Sequence, residues 1–251
     1  MQAMAEGKLL ILGGTTLAVA LAKAVAELGL SAVYSLAGRT QARPLPGMAM
    51  RAAGFGGAQA LTAYLAAENI LAVIDATHAY AGQISANAEA ACQTAKLPLL
   101  RLENPPWQKR TGDQWINVPD ISAARDAAAD IAARVFVSTG RQGMAAFADD
   151  GRCWWLARVI APGDDLPALA NGRYLFARGP FAMRDELHLL SIHEIRAVIS
   201  KNAGGTASQA KITAARELKL PVIMIDRPDG GAAARVDSVE AAMAWLQICL
   251  V

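Results

Sequence analysis

Lys8-Leu9-Leu10-Ile11-Leu12 is a short, almost wholly apolar run that stops at Gly13-Gly14-Thr15-Thr16. Apolar residues then recur at helical spacing (Leu17, Leu21, Val25, Leu28), Gly29 closes the pattern, and a second apolar run over Ala32–Leu36 leads to Gly38-Arg39-Thr40. Strand, glycine turn, helix, strand, cation is the order of half a dinucleotide site. Glycines let backbone come close to a pyrophosphate, and the helix starting there offers unpaired N–H groups and the positive end of its dipole. A cation just past the second strand stands where an adenosine ribose lies. An arginine there, without a carboxylate, suits the 2′-phosphate of NADP better than the free hydroxyl of NAD. The full G-x-G-x-x-G fingerprint is absent, and a sharp strand-to-helix corner would by itself use two glycines.

The same alternation runs on. Strands are expected at residues 48–51, Ile70–Asp75 and 98–102, with helices at 58–68 and 81–95. Residues 103–120 hold Pro105, Pro106, Trp107, Trp115 and Pro119 and read as an irregular crossing, followed by a helix at 122–134. Val135-Phe136-Val137-Ser138-Thr139-Gly140-Arg141 restarts the pattern. Further strands are expected at 152–159, 174–177, 197–200 and 222–225, with helices at 180–190, 206–219 and 238–248. Continuous apolar strands alternating with amphipathic helices imply a parallel sheet covered on both faces. The fold expected is α/β: two doubly wound Rossmann-like units, residues 1–134 and 135–251, with ligands in a cleft between them at the strands' carboxyl ends. One continuous sheet is the alternative.

Composition narrows the partners. A net charge of +2, with Lys and Arg scattered, argues against general nucleic-acid binding but leaves room for an anionic small ligand. Three cysteines without a C-x-x-C pair speak against a disulfide framework or zinc knuckle. His188 and His193 lack companions at ligand spacing, so no metal site is expected. No stretch reaches the roughly 20 apolar residues of a membrane span, and the opening residues do not read as a signal peptide, so a soluble cytoplasmic protein is expected.

The turns at the ends of the apolar runs carry the chemistry. Lys201-Asn202-Ala203-Gly204-Gly205-Thr206 precedes a helix with Lys211 near its start; glycines can form a backbone nest, Thr206 can cap the helix, and both lysines can supply charge. Thr139-Gly140-Arg141 and Arg178-Gly179-Pro180-Phe181 each set an arginine beside a glycine at a strand end, where guanidinium can grip carboxylates and Phe181 offers a flat apolar surface. A capped helix with a solvated lysine, or surface arginines beside turns, would give the same local patterns. His78 and Tyr80, following Asp75-Ala76-Thr77, are the proton-transfer candidates.

Taken together and in order, these turns resemble the precorrin-6A reductase family of cobalamin biosynthesis. The matching pieces run from Ile11-Leu12-Gly13-Gly14-Thr15-Thr16 through Ser35-Leu36-Ala37-Gly38-Arg39-Thr40, Gly54-Phe55-Gly56-Gly57, Asp75-Ala76-Thr77-His78, the arginine turns and the Lys201 turn, and on to residues 221–228. The chain departs from the family pattern at Leu17-Ala18-Val19-Ala20, Ala79-Tyr80-Ala81, Asn104 and Ala203. The resemblance implies an NADPH-dependent reductase that delivers a hydride to a macrocycle double bond of precorrin-6A, giving precorrin-6B. It implies NADPH on Gly13, Gly14, Thr15, Thr16, Ser35, Gly38, Arg39, Thr40, Gly54, Thr77 and His78, with Arg39 on the 2′-phosphate. It further implies a carboxylate-fringed tetrapyrrole on Arg141, Arg178, Phe181, Lys201, Asn202, Gly204, Gly205, Thr206 and Lys211. Catalysis is then mainly positioning, with His78 and Tyr80 as the side chains nearest the chemistry. A monomer handing substrate to neighbouring pathway enzymes is expected. Two other readings stay open: a nucleotide-sugar-dependent transferase, and a non-catalytic NADP-sensing Rossmann protein.

Overall fold

The structure, a computed structural model, describes residues 7–37 and 45–250. The chain runs β1 (Lys8–Leu12), α1 (Thr16–Glu27), β2 (Ala32–Leu36), β3 (Ala49–Ala52), α2 (Ala58–Ala67), β4 (Ile70–Asp75), α3 (Gly82–Ala95) and β5 (Leu99–Leu102). Next come β6 (Gln114–Val118), α4 (Ile121–Ala129), β7 (Arg134–Ser138), a short 3-10 turn (Met144–Phe147), β8 (Trp154–Val159) and β9 (Gly172–Phe176). The remainder is α5 (Met183–Ile192), β10 (Ala197–Lys201), α6 (Ala210–Glu217), β11 (Pro221–Ile225), β12 (Ala234–Val236) and α7 (Val239–Cys249).

The strands form two six-stranded, wholly parallel sheets, ordered β12-β5-β4-β1-β2-β3 and β6-β11-β10-β7-β8-β9. Each has the strand order of a dinucleotide-binding sheet, reversing direction at β1/β4 in the first and β7/β10 in the second. In each sheet the last edge position is filled from outside its sequential run. β6 precedes its own sheet's first central strand, and β12 returns to the first sheet after the second is complete. The chain accordingly divides into one unit of residues 1–104 with 228–251, and another of residues 105–227.

That division corrects the single boundary expected at residue 134. The segment expected to be an irregular crossing contains β6, which pairs with β11, and the helix behind it is α4, capped by the Asp120 carboxylate accepting from the Ala123 N–H at 2.9 Å. Arg134 opens β7 rather than ending that helix. β6 and β12 are short, largely exposed edge strands, so neither carries the apolar signature of a buried one.

Burial explains the unbroken apolar runs. Along β1, Leu9 and Ile11 face a core shared with Leu21 and Val25 of α1 and Leu246 of α7, while Leu10 and Leu12 face Leu61 and Leu65 of α2 and Ala88 and Cys92 of α3. A strand with helices on both faces has no polar side to show, so period-two alternation disappears. In the second unit, Phe136, Leu156, Val198, Val222 and Met224 pack against Leu190 of α5 and Ile212, Ala214 and Ala215 of α6.

Candidate functional site

In an open parallel sheet the ligand crevice lies outside the carboxyl ends of the strands, at the point where strand order reverses. The turns leaving β1 and β4 flank that point in the first unit. Thr15 is the N-cap of α1: its hydroxyl accepts from the Ala18 N–H at 3.1 Å and donates to the Ala76 carbonyl at 2.8 Å, tying the glycine turn to the end of β4. The Gly13 N–H donates to the Ser35 carbonyl at 2.8 Å, and the Gly14 N–H donates to the Tyr34 hydroxyl at 3.1 Å. A Cβ on Gly13 would overlap the Tyr34 ring. Gly13 is therefore required by the packing of β2 beneath the turn. Gly14, with φ +122°, is the glycine that keeps the turn open: a Cβ there would meet nothing nearer than Leu36 Cδ2 at 4.0 Å. Thr16 stands exposed at the first position of α1, and Ser35 is buried at the end of β2.

The support of the second turn carries no local sequence signal. Asp75, buried at the carboxyl end of β4, accepts from both the N–H of Thr77 (3.0 Å) and its hydroxyl (2.6 Å) through one oxygen. Its other oxygen accepts from Arg101 Nη1 at 3.0 Å, and Arg101 Nε donates to Glu103 at 3.0 Å. Arg235 of β12 lies 3.7 Å from Glu103, so the buried network joins β4, β5 and β12. The Thr77 proton is committed to Asp75, which leaves Thr77 as an acceptor toward any ligand. His78 is exposed; its Nδ1 accepts from the Tyr80 N–H at 3.2 Å, which places the neutral ring's proton on Nε2. The two rings are 5.8 Å apart. Gly54 is exposed with open space about it, and its carbonyl accepts from Arg51 at 3.0 Å. Gly38, Arg39 and Thr40 lie outside the described residues.

In the second unit the turn after β10 is braced from a distance. Trp107 donates its backbone N–H to the Asn202 side-chain oxygen (2.7 Å), accepts from the Asn202 amide (3.1 Å) and donates its indole N–H to the Gly205 carbonyl (2.8 Å). Arg227 Nε donates to the Asn202 carbonyl at 2.7 Å. Gly204 and Gly205 both have φ +70°, the left-handed region where glycine is unstrained. Lys201 ends β10 half-buried, and burial lowers its ammonium pKa.

Several expected roles change here. Thr206 is exposed and does not cap α6, whose N-cap is Gln209; a turn of residues 206–209 intervenes. Lys211, expected to offer its charge to substrate, is buried: its ammonium donates to the Ser208 carbonyl at 2.8 Å and sits 5.0 Å from the centre of the Trp107 ring. Burial, with help from the nearby Arg158 charge, pulls its pKa down to about 7, against the opposing effect of Glu186. Arg141 is engaged by the chain's own loop, paired with Asp165 and donating to the carbonyls of Ala161 (2.7 Å) and Pro162 (3.1 Å). Arg178 is exposed and forms no ion pair with a described residue. Phe181 lies over the guanidinium of Arg158, 3.7 Å from its ring centre, and Arg158 is itself buried in an ion pair with Glu186.

A recess of about 500 Å³ lined by Lys8, Gly29, Glu68 and Asn69 lies at the opposite, amino-terminal ends of β1 and β4. None of the glycine turns at the strands' carboxyl ends reaches it. Among the described residues, no helix is long and apolar enough to cross a membrane.

Comparison with known proteins bears on this arrangement. The family model described as Precorrin-6x reductase CbiJ/CobK matches residues 8–247. A precorrin-6A reductase of Rhodobacter capsulatus is 44% identical over 242 residues, covering 95% of each chain. One of Rhodococcus erythropolis is 43% identical over 241 residues, covering 95% of this chain and 97% of its own. The solved structure of a CobK precorrin-6A reductase superposes with a TM-score of 0.90 at 42% identity, covering 97% of both chains.

Proposed function

The chain belongs to the precorrin-6x reductase family, and on that premise we propose how its turns divide the work of reduction. The activity is that of a precorrin-6A reductase in cobalamin biosynthesis: an oxidoreductase that acts on a CH–CH bond with a nicotinamide cofactor. A nucleotide-sugar transferase and a non-catalytic sensor are not favoured by this membership.

NADPH is the cofactor in our reading, and when bound it supplies the hydride that converts precorrin-6A to precorrin-6B. The residues fit such a group. Gly14 leaves open space over the turn, and α1 begins there, with the Thr15 cap taking the Ala18 N–H and the N–H groups ahead of it lacking an intrahelical acceptor. Gly13, Gly14, Thr15 and Thr16 hold the pyrophosphate. Ser35, Gly38, Arg39 and Thr40 hold the adenosine end, with Arg39 on the 2′-phosphate. Gly54, Thr77 and His78 complete the site, Thr77 accepting through the lone pairs that Asp75 leaves available. On the tetrapyrrole side, Arg178, Lys201 and the backbone of Gly204, Gly205 and Thr206 take carboxylates, Asn202 holds that turn in shape through Trp107, and Phe181 offers apolar surface to the ring. Arg141 and Lys211 shape the loops from behind, because their own donors are engaged by protein. The observation that carries this reading is that each unit holds a shaped glycine turn at its reversal of strand order, capped at β1 in the first and braced at β10 in the second.

Rate acceleration comes chiefly from positioning one macrocycle carbon against the cofactor. His78 and Tyr80 tune that geometry, and the balancing proton is drawn from water or the substrate's own nitrogens. We read the protein as a cytoplasmic monomer that passes its product to the next enzyme. Calorimetric titration with NADPH and with NADH tests the cofactor assignment. Micromolar NADPH binding with much weaker NADH binding is expected, and Arg39→Ala should weaken NADPH binding alone. Equal losses for both cofactors would remove Arg39 from the 2′-phosphate.

A further inference from the structure

We propose that Thr139 is a specificity contact for the substrate, its hydroxyl donating a hydrogen bond to a peripheral carboxylate of the tetrapyrrole. The inference rests on the reading that the turn after β10 holds that substrate. Thr139 follows β7 directly and is 6% exposed, yet its Oγ1 is a buried polar atom with no hydrogen-bond partner among the described residues. Buried hydroxyls are almost always paired, and one that is not marks a place where water or a ligand completes the bond. A side chain needed only for volume at this position would be served as well by the isosteric valine.

Location distinguishes ligand from packing. Ser138 and Ser200 are the last registered pair between β7 and β10, so the next residues along the two parallel strands are Thr139 and Lys201. This is the reversal of strand order in the second sheet, where a parallel α/β sheet receives its ligand. Gly140, beside Thr139, has φ +78°, and a Cβ there would meet nothing within 4 Å, so the turn is open on that side. A hydroxyl donor at the end of β7, with an ammonium and a pair of left-handed glycines at the end of the adjacent β10, selects an anionic oxygen. On the proposed substrate that oxygen belongs to a carboxylate.

Thr139→Val, Thr139→Ser and Lys201→Ala separate the possibilities. Each is measured for precorrin-6A reduction (kcat and KM), NADPH affinity and thermal midpoint. Thr139→Val is expected to raise KM for precorrin-6A about tenfold to hundredfold, the loss of one hydrogen bond to a charged group. Its thermal midpoint should stay level or rise, because the unpaired hydroxyl is gone, and its NADPH affinity should be unchanged. Thr139→Ser, which restores the hydroxyl, should return KM to near the native value. Should the valine variant fail to fold, Thr139→Ala carries the same reading: its KM rises by a similar factor or the proposal falls. Native KM in Thr139→Val with a raised KM in Lys201→Ala would overturn the role of Thr139 alone. Native KM in both would overturn the substrate turn on which it rests.

Discussion

The indole N–H of Trp107 donates to the Gly205 carbonyl at 2.8 Å, from a residue 98 positions earlier in the chain. Asn202, in the same turn, grips the Trp107 backbone from both sides. A glycine turn has high conformational freedom and binds anions well only when something else fixes its shape. Trp107 is that fixture. Trp107→Phe keeps an aromatic ring near Lys211 but removes the indole donor and the volume of the five-membered ring, so the cost should be about 1–3 kcal/mol. The loss should show as a raised KM for precorrin-6A in steady-state kinetics, with NADPH affinity left as it was.

Arg101 should prove a larger stability determinant than its place within a short strand suggests. Its guanidinium and the Asp75 carboxylate are each about 4% exposed or less, and Glu103 is engaged from the same side chain. Arg101→Met leaves the buried Asp75 carboxylate without its cation, while Glu103 keeps Arg235, which should cost about 3–5 kcal/mol in urea unfolding. Adding Asp75→Asn should recover part of that loss. A double variant whose loss equals the sum of the two single losses would show that the pair is not coupled.

Lys211 gives the fold a pH dependence with a definite sign. Its pKa is about 7 in the folded chain against 10.5 for an exposed lysine, so between these values the unfolded chain binds more protons. Stability from this group therefore rises with pH across that window, and its penalty is fully present below pH 7. The total is on the order of a few kcal/mol. Unfolding free energies at pH 7, 8 and 9 for wild type and Lys211→Met should converge or cross as pH rises, with the variant the flatter of the two. Parallel curves would mean that Lys211 does not titrate in this range.

If positioning dominates catalysis, neither ring at the end of β4 is indispensable. Single-turnover reduction by His78→Ala and by Tyr80→Phe, at saturating cofactor and substrate, should fall by less than about 1000-fold. A larger fall with binding intact would identify a required acid and displace the proposed mechanism.

Local chemistry dictated most of the elements. The runs at β1, β2 and β4 are apolar throughout because both sheet faces are covered, and that signature is visible in a dozen residues at a time. So were the turns: glycine, threonine and lysine at strand ends follow from backbone geometry and helix capping, which act over a few positions. The precorrin-6x reductase signature was legible for the same reason, as an ordered series of such turns. What the sequence did not disclose was every relation across long separations. Gln114–Val118 and Ala234–Val236 are polar edge strands whose identity comes from their partners, β11 and β5, so the domain boundary could not be placed from local pattern. By local pattern Lys211 and Arg141 are both cations available to substrate; Lys211 is buried beside Trp107, and Asp165 is brought against Arg141, only by the tertiary fold. Asp75 and Arg101 are 26 positions apart and meet only because β4 and β5 are neighbours. Periodicity and turn chemistry are written residue by residue; which charges end up paired or buried is decided by which strands lie side by side.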